Sequence, residues 1–328
     1  MMSSDPSALP SALIVRTLTL NPAIDQTITL EALTPGTVHR ARATRSDAGG
    51  KGINVAACLA DWGESVAVYG VLGRDNSGPF DALFAAKGMI DRFVRIPGET
   101  RTNIKLVSSG GGPTTDINLP GLEIDRPCLE RVATALLADL APGTPVVLSG
   151  SLPRGLDDKT YVGLVGALRE RGAKVVLDVS GWPLTRALEA PADHLPHCVK
   201  PNRHELESWA GRALPTLADV QEAAHGLRGK GVARVVVSLG SDGALFVSDE
   251  GALHAKLPAM TALSTVGAGD AMVAGLVAAL RQDLGLEDTA RLATAFAAAK
   301  LRHVGAQLPG RDVVLALAGQ THIARLQA

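Results

Sequence analysis

The feature that most constrains this chain is a rhythm. From Ser65 onward, short β-branched apolar runs alternate with helical patterns of ten or more residues, which predicts a mostly parallel sheet. Strands are expected at 13–20, 66–72, 146–149, 174–179 and 232–239, each a near-continuous apolar run of the kind found when both faces of a sheet are covered. The helices between them carry their own punctuation. Asp125 before Pro127 reads as an N-cap with a first-turn proline, and Thr216 with Asp219 as a capping box. Gly63, Gly172 and Gly231 stand where helices should stop.

Two regions break the rhythm. Residues 27–45 and 101–118 alternate polar and apolar side chains without a helical pattern, which predicts antiparallel strands in a small separate sheet. Such a sheet has one poorly covered face, so it is expected to close over a ligand or to pair with another subunit. Gly110 to Gly112 with Pro113 read as a hairpin tip, and no repeat of 20 to 50 residues is visible. A length of 328 residues then means one large α/β domain with an insertion, or two domains.

Charge and cysteine usage exclude several functions. Thirty-two Lys and Arg against 33 Asp and Glu leave a formal charge of −1, so no global field favours nucleic acid or an anionic membrane surface. Any anion site must be local. Cys58, Cys128 and Cys198 are far apart and form no CxxC, which argues against a disulfide framework and suits a reducing, cytoplasmic setting. Residues 1–11 are polar and proline-containing and read as a flexible tail rather than a signal peptide. The most apolar helical stretch, 271–280, has about half of the roughly 20 residues that a membrane span needs.

The segment richest in chemistry is Ser264-Thr265-Val266-Gly267-Ala268-Gly269-Asp270, directly before the 271–280 helix. Two glycines in three residues let backbone N–H groups converge at a helix N-terminus, the geometry of an anion hole. An acid inside such a hole opposes a bound phosphate unless it handles a proton. Asp270 is therefore a candidate general base for a substrate hydroxyl, with a plain N-capping aspartate as the competing reading. Met272 stands where a dinucleotide fingerprint would have its third glycine, which weakens a dehydrogenase reading.

Gly49-Gly50-Lys51-Gly52-Ile53-Asn54 also opens a helix. It is either a tight loop before a core helix or a site where Lys51 and Asn54, beside exposed backbone donors, meet a polyhydroxylated or phosphorylated ligand. Asn202 and Glu205, in Lys200-Pro201-Asn202-Arg203-His204-Glu205, lie on one helix face and could organise Mg²⁺ through water, or could form a simple capping box. Ser238-Leu239-Gly240-Ser241-Asp242-Gly243 lies between two strands as a phosphate loop or a hairpin turn. His194, His197 and Cys198 have no fourth partner at metal-ligand spacing and read as ordinary loop residues.

Taken in order, these pieces resemble the ribokinase-like sugar kinases of the PfkB branch, from about Leu18 to the last helices. The matching stretches are TLNPAID at 19–25, AGGKGINVA at 48–56, GETRTNIKL at 98–106, SGSLPRG at 149–155, VKPNRHELE at 199–207, VVVSLGSDGAL at 235–245 and STVGAGDAMVAG at 264–275. The lysine in the glycine loop, TDIN at 115–118 and the stretch 209–228 look like the members that phosphorylate fructose 1-phosphate.

The resemblance implies a three-layer α/β/α core with a mostly parallel sheet and a small β-sheet lid. One kinase domain would run over 12–328, with lid segments at about 24–47 and 95–120. It also implies ATP-dependent phosphorylation of fructose 1-phosphate at its 6-hydroxyl, with tagatose-6-phosphate kinase and minor 6-phosphofructokinase activities as neighbours and a catalytically silent nucleotide-binding regulator as the alternative from another class.

Carried over by motif position, Asp270 is the base and Gly267, Ala268 and Gly269 the anion hole. Asp25, Gly50, Lys51, Asn54, Arg101 and Asn103 contact the sugar phosphate, with Arg101 the first choice for its phosphate and Lys105 a helper. Lys200, Asn202, Ser238, Leu239, Gly240, Ser241, Asp242, Gly243 and also Gly269 serve ATP, and Asn202 with Glu205 organises Mg²⁺ through water. The lid implies a homodimer, and the resemblance leaves open whether Arg40 reaches a partner's site.

Overall fold

A computed structural model of the protein describes residues 14–111, 114–258, 267–302 and 307–327. The expected N-terminal tail, residues 112–113 of the hairpin tip and residues 264–266 of the glycine motif lie outside the described residues.

In chain order the strands are β1 (Val15–Thr19), β2 (Ala23–Leu30), β3 (Ala43–Gly49), β4 (Val66–Gly73), β5 (Ile90–Asp91), β6 (Val94–Ile96), β7 (Thr102–Ser108), β8 (Thr115–Asn118), β9 (Pro145–Ser149), β10 (Lys174–Asp178), β11 (Cys198–Val199), β12 (Arg234–Ser238), β13 (Ala244–Ser248), β14 (Gly251–Lys256) and β15 (His322–Leu326). The helices are α1 (Lys51–Trp62), α2 (Gly78–Ala86), α3 (Arg126–Leu137), α4 (Thr160–Glu170), α5 (Trp182–Leu188), α6 (Arg203–Ala210), α7 (Leu217–Lys230), α8 (Ala268–Arg281), α9 (Leu286–Leu301) and α10 (Arg311–Gln320).

The large sheet runs β15-β14-β13-β12-β11-β10-β9-β1-β4-β5, with β6 also on β4. Pairs from β12 through β1 to β4 and its neighbours β5 and β6 are parallel, as the βα rhythm predicts. Beyond β12 the sheet continues with antiparallel β13, β14 and β15, of which the sequence reading expected only the strand after the 238–243 turn. Successive residues of each central strand face opposite ways. Val147 and Val236 pack with α1, α8 and α9, while Val146, Leu148, Val235 and Val237 pack with α3, α4 and α7. The result is the expected three-layer sandwich. Residues 270–280 of α8 are buried without a break, because the helix is wedged between the sheet, α1 and α9.

The expected caps form. Asp125 accepts a hydrogen bond from the Cys128 N–H, Thr216 and Asp219 make a reciprocal box, and Gly63 and Gly231 end α1 and α7 in the left-handed region. The three cysteines are buried and unpaired. Among the described residues, no helix is long and apolar enough to cross a membrane.

The second sheet, β3-β2-β7-β8, is separate as expected, but it is not wholly antiparallel. β2 runs antiparallel to β3 and parallel to β7, and β7 runs antiparallel to β8. The physical reason is the route of the chain. β2 leaves from the carboxyl end of β1, and β7 follows β6, which is parallel to β4, itself parallel to β1. Both excursions therefore start in the same direction.

Strand order reverses around β1, which sits between β4 and β9, so the carboxyl ends of β1, β9, β10, β11 and β12 face the crevice where open α/β sheets bind ligands.

Candidate active site

Three glycine-rich turns converge above those strand ends. The first is the N-terminus of α8. Its N-cap is Gly267, whose φ of 79° is a left-handed conformation that glycine tolerates, and among the described residues no side chain caps the helix. The Ala271 N–H already bonds to the Gly267 carbonyl, so the first-turn N–H groups of Ala268, Gly269 and Asp270 have no intrahelical acceptor. This is the backbone geometry anticipated from the two glycines.

Asp270 is therefore not the N-cap; it stands at the third helical position, and its Oδ2 accepts a hydrogen bond from Asn54 Nδ2 at 2.8 Å. The residue is 8% exposed. Burial raises its pKa to about 6, the nearby Asp178 carboxylate adds to the rise, and Asn54, Lys51 and Lys200 oppose it. A carboxylate titrating there is poised to take a proton near neutrality.

The second turn, Gly49 to Gly52, is a tight loop that opens a core helix, as one of the two readings of that segment expected. Gly50 has a φ of 124°, and a Cβ on Gly52 would lie 2.4 Å from Thr19 Oγ1, so these glycines let the loop pack on the end of β1. Between them Lys51 and Asn54 turn to the crevice. Lys51 Nζ lies 3.4 Å from Asp178 Oδ1, and Lys200 Nζ approaches the same oxygen at 3.3 Å. Burial works against the charge of Lys51, but Asp178, Asp270 and Glu205 outweigh it and raise its pKa. A Cβ on Gly269 would stand 3.6 Å from Lys200 Nζ, so that ammonium borders the anion hole directly.

Asp178 is the residue that the sequence reading missed. Its side chain is 1% exposed, it ends β10, and it holds two lysines while its Oδ2 is buried without a hydrogen-bond partner among the described residues. A signal was present: an acid at the carboxyl end of the apolar run 174–179 of a parallel strand. Asn21 was also missed. Its Nδ2 donates to Ser151 Oγ at 3.0 Å, tying the ends of β1 and β9 together.

The sugar-side group predicted from sequence also assembles. The parallel register of β2 and β7 sets Asp25 opposite Asn103, and Asn103 Nδ2 donates to Asp25 Oδ1 at 3.0 Å. Burial raises the pKa of Asp25, against the bond from Asn103 and the charges of Lys105 and Arg101. Gly49 must lack a side chain here, since a Cβ would lie 2.3 Å from Asp25 Oδ2. Arg101 donates to the carbonyls of Pro22 at 3.3 Å and Asn21 at 3.2 Å, which braces its guanidinium beside Asp25. Lys105 makes a cross-strand ion pair with Asp116 at 3.7 Å, and Arg40 is exposed.

On the nucleotide side, Asn202 and Glu205 form a reciprocal capping box. Glu205 N–H donates to Asn202 Oδ1 and Asn202 N–H to Glu205 Oε2, both at 2.8 Å. The cap reading of this pair is thus realised, with Glu205 Oε1 left outside the box. Among the described residues, no group of three or more His, Cys, Asp or Glu could hold a metal by direct ligation. Ser238 bridges to Asn202 across the strand ends. The 238–243 turn uses the N–H groups of Leu239, Asp242 and Gly243 internally, which leaves those of Gly240 and Ser241 as its outward donors. The Asp242 carboxylate accepts from Lys256 Nζ at 3.1 Å, so its charge is already occupied.

Residues 18–312 match the pfkB family of carbohydrate kinases. The chain is 54% identical to a 1-phosphofructokinase of Xanthomonas campestris pv. campestris over 87% of this chain and 90% of that protein. It is 46% identical to a 1-phosphofructokinase of Rhodobacter capsulatus over 93% of this chain and 95% of that protein. Among solved structures, phosphofructokinase-2 of Escherichia coli in complex with potassium superposes with a TM-score of 0.87 at 28% identity, covering 94% of this chain and 98% of that one.

Proposed function

The chain belongs to the pfkB family of carbohydrate kinases, and from that premise we propose that it transfers the terminal phosphoryl group of ATP to the 6-hydroxyl of fructose 1-phosphate, giving fructose 1,6-bisphosphate and ADP. The observation that carries the reading is Asp270: a buried carboxylate titrating near 6, fixed by Asn54 in the first turn of a helix whose N-cap is a glycine.

Asp270 takes the proton of the sugar hydroxyl as that oxygen forms its bond to the γ-phosphorus. The bond from that phosphorus to the β,γ-bridging oxygen breaks, and ADP leaves. The N–H groups of the α8 first turn, with Gly267, Ala268 and Gly269 shaping the hole, stabilise the charge on the moving group. Lys200 lies beside that hole, and Lys51, held with it on Asp178, spans the hole and the sugar side. Asp25 and Asn103, already joined at 3.0 Å, accept and donate to sugar hydroxyls, the backbone of Gly50 meets the sugar where the loop packs against Thr19 and Pro22, and Arg101 clamps the phosphate that the substrate already bears. The turn from Ser238 to Gly243 holds the nucleotide phosphates through Gly240 and Ser241.

Mg²⁺ fits here as a hydrated ion rather than a caged one, since Glu205 Oε1 is a hard oxygen outside the capping box and a Mg²⁺ ion keeps several waters. Asn202 and Glu205 would hold it through water, and it would neutralise phosphate charge. The small sheet acts as a lid that excludes water from the transfer. Its edge strand β8 is exposed, as are Val38 and Ile117, which supports a homodimer joined through this sheet.

A coupled ADP-release assay comparing fructose 1-phosphate, fructose 6-phosphate and tagatose 6-phosphate tests the proposal. The largest kcat/KM is expected for fructose 1-phosphate; a preference for either other sugar would move the assignment to a neighbouring activity, and no turnover with any would favour a silent nucleotide-binding protein.

A further inference from the structure

Lys300 has no role in the reaction as written above, yet it sits against the site. It lies in the Ala-rich helix α9, in the run Ala298-Ala299-Lys300, and is 3% exposed. Its location follows from how α8 and α9 pack. The two helices are joined by a short turn and make the most extensive helix pair of the fold, in close approach at Gly275, where a Cβ would lie 2.7 Å from the Ala293 Cα. From that crossing, Gly267 lies about two turns back along α8 and Lys300 about two turns forward along α9. Antiparallel helices thus bring the lysine to the α8 N-terminus. A Cβ on Gly267 would stand 3.2 Å from Lys300 Cε and 4.0 Å from Nζ.

This is an adverse place for a cation. The positive end of the α8 dipole opposes it, and cations normally favour the other end of a helix. Burial lowers the pKa of Lys300 and Arg45 pushes the same way, while the nearby groups Cys58 and Asp270 oppose the fall. Of these two, the Cys58 thiol is pushed up to about 12 by its own burial and stays neutral, so Asp270 brings the negative charge. An ammonium this close to the start of α8 adds positive charge where an anion would dock.

We propose that Lys300 is a positioning residue for phosphoryl transfer: its ammonium, seated behind Gly267, holds by charge the anionic group that docks at the α8 N-terminus. With Lys51 and Lys200 it makes a third cation around the hole, acting through the helix turn rather than by touching the sugar. The inference rests on the kinase reading above and names a further residue for the same site.

The test replaces Lys300 with methionine, which keeps the length and removes the charge; Lys300→Gln runs beside it and decides if the methionine variant does not fold. The readouts are kcat and KM for ATP and sugar phosphate, melting temperature, and calorimetric affinity for a non-hydrolysable ATP analogue and for ADP. Interaction of unit charges several ångströms apart at an effective dielectric near 20 predicts a loss of about 10- to 100-fold in kcat/KM. Affinity for the ATP analogue should fall more than that for ADP, with a melting temperature unchanged or raised. A lowered melting temperature with normal kcat, KM and nucleotide affinities in the folded variant means a merely structural lysine and overturns the proposal. So does an equal loss for ADP and the analogue. A wild-type protein that binds nucleotide but phosphorylates no sugar would defeat the functional reading instead, and the two affinities would still decide the role of Lys300.

Discussion

Replacing Asp270 with Asn separates catalysis from stability. The substitution keeps shape and leaves an oxygen that can accept the Asn54 Nδ2–H bond, now 2.8 Å long, but it removes the base. Turnover should fall about 10²- to 10⁴-fold, the range set by loss of a positioned base. Stability should move the other way.

The Asp270 carboxyl titrates at about 6 in the fold, against an ordinary value of 3.8. At roughly 1.4 kcal/mol per pH unit, keeping it ionised at neutral pH costs the fold about 3 kcal/mol. Because the folded pKa is the higher one, the wild type loses stability as pH rises from about 4 to about 6 and then levels off. The Asn variant has no such loss. At pH 8 it should therefore melt about 4 °C above the wild type, from an unfolding entropy of roughly 2 cal/mol/K for each residue. The gap should close below about pH 4. Steady-state kinetics and calorimetric melting across pH read both effects. Near-normal turnover would remove Asp270 as the base, and a melting difference that does not change between acid and neutral pH would refute the account of its burial.

The other expectations are narrower. The acid limb of kcat/KM should lie near pH 6, because the base must be ionised, and Asn54→Leu should move it up by about one pH unit by removing a donor to the charged form; an unmoved limb would mean that Asn54 does not tune the base. Arg101→Ala should raise KM for fructose 1-phosphate about tenfold with little change in kcat, reflecting a lost charge-assisted clamp. An equal fall in kcat would place Arg101 at the migrating phosphoryl group instead. Asp178→Ala should destabilise the fold by about 3–5 kcal/mol in denaturant unfolding, since it strands the buried ammonium of Lys200. A loss below about 1 kcal/mol would show that water replaces the carboxylate.

Much of this site is legible in the chain because it is built from local turns. A glycine pair before an apolar helix already specifies an anion hole, and Asp270, Lys51 and Asn54 lie in such turns. Local reasoning left Asp270 divided between base and cap, because both readings place an acid at a helix start. The helix begins at Gly267 and sets Asp270 at its third position, which excludes the cap, while the tertiary contact with Asn54, 216 residues away, and burial under α1 and the sheet support the proposed base. For Asn202 and Glu205 the same ambiguity resolves toward the capping box, which the residues satisfy within one turn.

The chain by itself determined the α/β alternation, the caps, the separate small sheet and where the glycine-rich turns fall, because periodicity and turn geometry act over a few residues. Tertiary structure alone decided the parallel pairing of β2 with β7, the antiparallel extension beyond β12, and the gathering of Asp178, Lys51, Lys200 and Lys300 around one helix end. Those outcomes depend on where distant segments leave the sheet and how close two helices can approach. A lone aspartate ending a strand, or a lone lysine among alanines, acquires a role only when packing removes it from water and fixes which charges surround it.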